Sequence, residues 1–313
     1  MTLLIVGAVL RPVAGMNREP VSVAPQYARS AVTLYEVLVE PGYIVPVARR
    51  TPEAEISPEV AVTELLAGPR AGPDLAGALA PGAELLGFDV NDGRASVQLS
   101  AGALEGIDPG LAMDALALTL TEFDDISSVS VTVGGQHVGV DGAPVEEAAY
   151  LPRPALNPET PEAAAGGIEL YFAYDGADRY LVPVTRSAPS SARTPEPAMA
   201  EFLAGPTTAS GLKPVLPDDV NVLGIEVDGG LAIVDFDSHL VYAYRLSKAN
   251  AMFVRRAVMA TLTGLPGISA GLIEIDGSRL LLYTCVNVTQ EFPQARPWAI
   301  NDEFYLTTLS STG

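Results

Sequence analysis

The sequence predicts an α+β protein made of two tandem two-layer α/β sandwich domains. One observation is an internal repeat, because three motifs recur 137 residues later: Tyr43-Ile-Val-Pro-Val as Tyr180-Leu-Val-Pro-Val, Leu66-Ala-Gly-Pro as Leu203-Ala-Gly-Pro, and Leu86-Gly as Leu223-Gly. Another is that each copy orders its segments as strand, strand, helix, strand, strand, helix, strand. A single offset indicates a duplicated domain, and this mixed order indicates a small mixed sheet with helices on one face.

The first copy, residues 31–140, begins with a predicted hairpin. An apolar strand covers 32–39, a Pro-Gly turn follows, and a second strand covers 43–48. A helix is predicted to start at Ser57, whose hydroxyl can cap it, and to stop at Gly68-Pro.

The rest of the first copy contains a second hairpin and a longer helix. Strands are predicted over 85–90 and 95–99, joined by Asn91-Asp-Gly, in which Asn and Gly tolerate the positive φ of a tight turn. Apolar residues with helical spacing predict a helix over 109–123, and a closing strand follows over 129–133.

The second copy, residues 168–285, is predicted to follow the same plan. Thr194 takes the place of Ser57 as helix cap, and Asp228-Gly-Gly forms the second hairpin turn. A long helix around 252–262 and a strand over 272–275 complete the unit.

Three segments lie outside the two units. Residues 1–30 look like a leader and linker, and residues 141–167 form a Pro/Ala-rich linker that is predicted to be semi-extended and not to pair into a sheet. Residues 286–313 form a tail without a counterpart in the first copy, and it is predicted to dock on the second domain because it is aromatic, with Phe292, Trp298, Phe304 and Tyr305.

The N-terminus begins with an apolar run from Thr2 to Leu10, followed by Val13-Ala-Gly, a small-residue pattern typical of a signal-peptidase site. The run is too short to span a bilayer and has no basic region before it. A clipped signal segment is the favoured interpretation, and a first strand is the alternative.

Charge excludes several classes of partner. The chain carries 18 basic and 38 acidic residues, a formal net charge of −20, so nucleic acid and anionic lipid surfaces are disfavoured. The densest basic sites are the pairs Arg49-Arg50 and Arg255-Arg256, which are predicted to be solvated. The single cysteine, Cys285, excludes an internal disulfide.

Two motifs suggest chemistry. Gly267-Ile-Ser-Ala-Gly has the form of a nucleophile elbow, but Ser269 lies between a helix and a strand, and both histidines precede it. Asp235-Phe-Asp-Ser-His239 would place Asp235 and Asp237 on one face of a strand about 7 Å apart, close enough for acid/base work or a hard cation.

The first copy lacks these carboxylates, since Gln98 and Ser100 occupy the matching positions. A solvent-facing polar strand edge is therefore the favoured interpretation of Asp235, Asp237 and His239. The alternative is a cell-wall glycan hydrolase or ligand binder that uses these three residues. A solute-binding protein with a closing cleft is a third class, which the proline-rich linker disfavours. No catalytic, metal or cofactor-binding residue is predicted, and no cofactor.

The order of the repeated motifs resembles the GerMN domain of the GerM-like sporulation and spore germination family. The resemblance covers about 31–140 and 168–283 and is carried twice. In the first copy it is carried by Leu34-Tyr, Tyr43-Ile-Val-Pro-Val, Glu64-Leu-Leu-Ala-Gly-Pro, the Asp92-Gly hairpin and Thr119-Leu-Thr. In the second it is carried by Leu170-Tyr, 180–186, 201–206, Val234-Asp-Phe and Thr261-Leu-Thr.

The resemblance implies a non-catalytic extracytoplasmic scaffold that acts in sporulation or spore germination by supporting an envelope protein complex. Its partners would be envelope proteins that dock on sheet edges or helix faces. The domain is related to ring-building modules of secretion machines, so the resemblance also allows an oligomer. Family members are usually lipoproteins, but no cysteine precedes Cys285. A membrane tether would therefore need a leader upstream of Met1.

Overall fold

The computed structural model describes residues 31–51, 56–245, 248–279, 281–283, 288–290, 296–297 and 299–302. The leader predicted for residues 1–30, Cys285 and the four aromatic residues of the tail lie outside the described residues.

The first copy folds in the predicted order, with two short additional strands. Its elements are β1 (Ala31–Leu38), β2 (Ile44–Arg50), α1 (Pro58–Leu66), β3 (Leu75–Ala76), β4 (Leu85–Asn91), β5 (Arg94–Leu99), α2 (Pro109–Leu120), β6 (Ser128–Val133) and β7 (Gln136–Val138).

The segment between the copies contains β8 (Leu151–Pro152) and α3 (Pro161–Ala164). β8 pairs antiparallel with β6, so the prediction that this linker does not pair into a sheet is wrong. A strand of two residues at a sheet edge tolerates the missing N–H of Pro152, while the side chain of Leu151 is buried.

The second copy and the tail supply the remaining elements. They are β9 (Gly167–Asp175), β10 (Arg179–Ser187), α4 (Pro195–Ala204), β11 (Val222–Asp228), β12 (Leu231–Phe236), α5 (Leu240–Arg245), α6 (Lys248–Thr263), β13 (Ala270–Ile275), β14 (Ser278–Arg279), β15 (Leu281–Tyr283), β16 (Val288–Gln290) and β17 (Asn301–Asp302).

Each copy divides its strands between a hairpin and a mixed sheet. The hairpins are β1–β2 and β9–β10, and the mixed sheets are ordered β4-β5-β6-β7 and β11-β12-β13-β14. In both mixed sheets the central pair, β5–β6 or β12–β13, is parallel and the neighbouring pairs are antiparallel. The α+β class and the two-domain arrangement are confirmed. The division of each unit into two sheets was not part of the prediction.

Helix α2 explains this division. Eight of its 12 residues are buried, and it contacts both β1 and β6. A helix that is apolar on most sides must be covered on most sides, so α2 packs against the hairpin as well as the mixed sheet. The carboxylate of Asp108 caps its first turn by accepting hydrogen bonds from the N–H groups of Gly110 and Leu111 at 2.9 and 3.1 Å.

The first helix of each copy begins after the predicted cap residue and ends before the predicted glycine, but only one of the two cap residues makes its hydrogen bond. Ser57 Oγ accepts a hydrogen bond from Val60 N at 3.3 Å, whereas Thr194 occupies the cap position of α4 without a side-chain cap bond. Both helices are followed by a glycine with positive φ, 70° at Gly68 and 81° at Gly205, a conformation that other residues rarely adopt.

An arginine at the end of the second strand braces each of these helices. Arg49 Nη1 donates to Glu64 O at 2.6 Å, and the equivalent Arg186 Nη1 donates to Glu201 O at 3.3 Å. The last carbonyls of a helix have no intrahelical partner and carry negative partial charge, so a cation stabilises them. The Arg49 side chain is 1% exposed and also pairs with Glu36, so the prediction that it is solvated is wrong.

The two copies meet along β2 and β10 and share a hydrophobic core. The first copy contributes Leu38, Val45, Val47 and Leu75 to a buried cluster made mostly of second-copy residues. Because buried apolar side chains of both copies occupy one cluster, separating the copies would expose that surface to water.

Two asparagines join the hairpins across this contact. Asn157, in the linker, accepts from Ile44 N at 2.9 Å and donates to Ile44 O at 2.7 Å and to Pro183 O at 2.6 Å. Asn301, in the tail, accepts from Leu181 N at 2.8 Å and donates to Leu181 O at 3.0 Å and to Pro46 O at 2.9 Å.

These asparagines belong to corresponding segments, Arg153-Pro-Ala-Leu-Asn157 and Arg296-Pro297 through Asn301. The tail therefore corresponds to the linker that follows the first copy, a likeness that was not predicted. The tail contacts both copies, because Asn301 binds the backbone of Leu181 in the second copy and β17 pairs in parallel with β2 of the first copy.

The arginines of the two segments engage equivalent tyrosines. Arg153 Nη2 donates to Tyr35 Oη at 2.8 Å, and Arg296 Nη2 donates to Tyr171 Oη at 3.1 Å. Burial raises the pKa of both phenols far above the usual range, so they remain protonated donors. Tyr35 Oη in turn donates to Glu122 at 2.7 Å.

Candidate interaction surface

The predicted acidic cluster is divided between strand β12, which contains Asp235, and the loop after it, which contains Asp237 and His239. β12 ends at Phe236, so Asp237 lies beyond the strand and does not extend the face that carries Asp235. Both carboxylate oxygens of Asp235 accept a hydrogen bond from Gly277 N, at 2.9 and 3.0 Å. Asp235 therefore holds the turn between β13 and β14.

Asp237 organises the entry to α5. Its carboxylate accepts hydrogen bonds from Asn221 Nδ2 at 2.8 Å and from His239 N at 3.2 Å, and His239 Nδ1 lies 3.1 Å away. Burial raises the pKa of Asp237, but the hydrogen bonds from Asn221 and His239 lower it by more, so the pKa lies below its ordinary value. The hydrogen bond and charge of Asp237 raise the pKa of His239. In the ranges that the structure describes, no three His, Cys, Asp or Glu side chains form a group that could hold a metal ion.

Ser269 lies in the turn between α6 and β13, where the sequence placed it. Its N–H donates to Gly230 O at 2.8 Å, and its hydroxyl lies 3.4 Å from the same oxygen. A nucleophile elbow needs a strand-to-helix turn, and this turn has the opposite order.

The edges of the mixed sheets present a repeated surface feature. β4 and β11 each pair with a single strand among the described residues. Leu86 on β4 is 61% exposed and Leu223 on β11 is 56% exposed, although both are large apolar side chains at the same repeat position. We call β4 and β11, with their exposed side chains, the paired sheet edges.

A β-bulge causes this exposure in both copies. The register with the neighbouring strand shifts between Leu85 and Gly87 in β4, and between Val222 and Gly224 in β11. Leu86 and Leu223 are the extra residues of these bulges. They have no partner on the neighbouring strand, and they interrupt the alternation of side chains between the two faces of the sheet.

The paired sheet edges also share an acidic residue followed by a valine. Asp89 and Glu226 are exposed, and the valines after them, Val90 and Val227, are exposed as well. The repeat was visible in the sequence as Leu-Gly, and a glycine inside a strand is a known signal of a bulge. The exposure of the leucine was not predicted.

An open groove of about 740 Å³ adjoins the first of these edges. It lies between α1 and the start of β4 and is lined by Glu59, Thr63, Leu66, Ala67, Gly82, Ala83, Glu84 and Leu85. Its lining is both polar and apolar, and Leu85 at its end directly precedes Leu86.

The described part of the chain contains no helix with the length and apolar character needed to cross a lipid bilayer.

Solved structures resemble this fold. The tandem GerMN domains of the sporulation protein GerM from Bacillus subtilis match with a TM-score of 0.65 and 22% identity, over 87% of this chain and 98% of that chain. The first GerMN domain of the same protein matches with a TM-score of 0.34 and 21% identity, over 39% of this chain and 97% of that one. No functionally curated protein shows significant similarity to the chain.

A family model matches both copies. The model, described as Germane, sporulation and spore germination, covers residues 33–139 and 169–281, which is more than half of the chain. Its limits coincide closely with the two structural units, and the tandem GerMN arrangement agrees with it. The chain therefore belongs to the Germane family of sporulation and spore germination proteins.

Proposed function

We propose that this protein is a non-catalytic, extracytoplasmic scaffold that supports an envelope protein complex during sporulation or spore germination. Membership of the Germane family supports the process. The role as a scaffold is supported by the surface that both copies keep exposed.

The paired sheet edges carry this proposal. Leu86 and Leu223 contribute to neither of the two core clusters, yet the same apolar residue stands at the same exposed position in both copies. An exposed leucine beside unpaired backbone groups is suited to bind another protein, because docking removes apolar surface from water and satisfies the strand edge. Two such edges provide two docking sites.

The loop geometry favours a scaffold over a glycan hydrolase. Asp235 is held by Gly277 N, and Asp237 by Asn221 and the backbone of His239. These bonds give each carboxylate a structural role in a turn. The buried cluster that the two copies share likewise supports a fixed arrangement over a hinged, solute-binding one.

The location is part of the proposal. A net charge of −20 disfavours nucleic acid and anionic lipid surfaces as partners, which leaves proteins and cell-wall glycan, and the paired sheet edges favour proteins. The apolar segment from Thr2 to Leu10 is consistent with an export signal.

Cross-linking in sporulating cells, followed by affinity capture, tests the proposal. The wild-type protein should recover a defined set of envelope proteins, and a variant with Leu86→Ser and Leu223→Ser should lose them. Val140→Ser is the matched control, because Val140 is 66% exposed and lies outside both edges. Loss of no partner in the edge variant would contradict the proposal.

A second variant, tested by the same affinity capture and by incubation with purified cell wall, distinguishes a scaffold from an enzyme. A variant with Asp235→Asn and Asp237→Asn should keep its captured partners and its sporulation phenotype. If the wild-type protein releases soluble fragments from purified cell wall and this variant does not, the protein is a hydrolase and the proposed function is wrong.

A further inference from the structure

The geometry points to β4 and β11 as matched docking strands for an extended, basic segment of a partner protein. This inference rests on the proposed scaffold function and specifies the partner's chemistry. It combines three observations on the same strands: an open strand edge, an exposed leucine and an exposed acidic side chain.

The open edge supplies the binding mode. β4 and β11 are seven residues long and each pairs on one side only within the described residues. An edge strand presents unpaired N–H and C=O groups, and an added strand can pair with them. A partner segment of about six residues in extended conformation would match the length of either edge.

The bulges supply an apolar contact. Because Leu86 and Leu223 are extra residues in their strands, their side chains are exposed at the start of each edge. Val90 and Val227 lie four positions further along and are also exposed. A bound segment with apolar side chains at alternate positions would cover them.

Charge selects the partner. Asp89 and Glu226 are exposed at equivalent positions, and neither β4 nor β11 contains a lysine or arginine. Opposite charges across a strand pair stabilise it and like charges destabilise it. Pairing with a second copy of this chain would place acidic edges against each other, whereas a segment with Lys or Arg between its apolar residues complements both edges.

The contact between the two copies allows one partner to bind both edges at once. Asn157 and Asn301 join the hairpins of the two copies, so the two edges belong to one connected unit. A partner with two basic strands, or two copies of a partner, can then bind both edges. The second contact becomes intramolecular and raises the overall affinity.

The test uses the full chain and two fluorescent peptides, one of alternating lysine and valine and one of alternating glutamate and valine, each eight residues long. The basic peptide should bind saturably at low salt, and amide NMR shifts should change mainly in β4 and β11. The acidic peptide should not bind.

Variants separate edge docking from general attraction to an acidic protein. Leu86→Ser with Leu223→Ser leaves the charge unchanged and should weaken binding about tenfold, because each substitution removes an apolar side chain that the bound peptide would cover. Asp89→Asn with Glu226→Gln should weaken binding and flatten its salt dependence. Val140→Ser should have no effect, and unchanged melting temperatures would show that all variants fold.

The inference is overturned if the basic peptide does not bind, if the shifts lie elsewhere, or if the leucine variant binds as well as wild type. Such a result together with edge-dependent capture of envelope proteins would leave the scaffold in place and reject only the basic strand. Peptide binding at the edges without any captured partner would instead support this surface and contradict the proposed function.

Discussion

Asn157 and Asn301 make reciprocal hydrogen bonds between the two copies. Asn157 binds both backbone groups of Ile44 and the carbonyl of Pro183, while Asn301 binds both backbone groups of Leu181 and the carbonyl of Pro46. Ile44 and Leu181 are equivalent in the repeat, as are the two prolines. Each copy is thus followed by a segment whose asparagine joins the hairpins of both copies.

The asparagines should contribute strongly to stability. Asn301 is 5% exposed, so Asn301→Ala leaves buried backbone groups of Leu181 and Pro46 without partners and should lower the free energy of unfolding by about 2–4 kcal/mol. Asn157→Ala should cost at least as much, because its φ of 43° suits asparagine better than alanine. Urea denaturation measures both. The exposed Gln136→Ala serves as control, and a similarly small change in Asn301→Ala would contradict the assignment.

Replacing a buried arginine should lower the free energy of unfolding far more than replacing an exposed arginine that pairs with the same carboxylate. Arg49 and Arg70 both pair with Glu64, but their side chains are 1% and 48% exposed. Arg49→Met leaves the buried Glu36 without the Arg49 guanidinium and should cost about 3–5 kcal/mol. Arg70→Met should cost less than about 0.5 kcal/mol. Equal losses in thermal or urea denaturation would be inconsistent with this difference.

Any side chain at Gly72 should destabilise the fold. Its φ is 93°, and a Cβ there would lie 2.0 Å from Tyr180 Oη of the second copy. Gly82 has a similar φ of 83° but nothing within 4 Å, so Gly82→Ala reports backbone strain alone, about 1 kcal/mol. Gly72→Ala should cost roughly 1–3 kcal/mol more.

A double variant tests the cause of that loss. Tyr180→Phe removes the oxygen that a Gly72 side chain would meet, so it should recover part of the stability lost in Gly72→Ala. Additive losses in the double variant would mean that the contact is not responsible.

His239 should titrate above its ordinary pKa of 6.5, because the hydrogen bond and charge of Asp237 favour the imidazolium. A raised pKa in the folded state means that the ion pair stabilises the fold fully below the unfolded pKa. This stabilisation is lost as pH rises through the folded pKa. NMR titration of His239 should show the raised value, and Asp237→Asn should lower it. Asp235→Asn should leave it unchanged, and a shift of similar size there would contradict the pairing.

Local signals predicted much of the fold. The turn at Asn91-Asp-Gly93 forms as predicted, although positive φ occurs at Asp92 and Gly93 and not at Asn91. The helix stops at Gly68 and Gly205 are confirmed. These features depend on residues within one turn of each other, so the sequence contains the full interaction. The repeated Leu-Gly was visible too, but exposure depends on which strands flank it.

Long-range contacts account for what the sequence left out. Asn301 binds Pro46 across 255 positions, and Asn157 binds Ile44 across 113, so neither partner lies in any local pattern. Arg49 looked like part of a solvated pair, yet packing between hairpin and helix buries it with Glu36 and Glu64. Asp235 and Asp237 looked like one cluster because they are close in sequence, but the strand ends between them.

The sequence by itself determined the duplication, the α+β class, the hairpin turns, the glycine helix stops and the family resemblance, because periodicity, turn residues and repeat spacing can be read from the order of residues along the chain. Only the tertiary structure decided how the copies join, which charges are buried and where apolar side chains remain exposed. Those properties depend on which surfaces meet in space, since burial, hydrogen-bond partners and open strand edges exist only after the chain has folded.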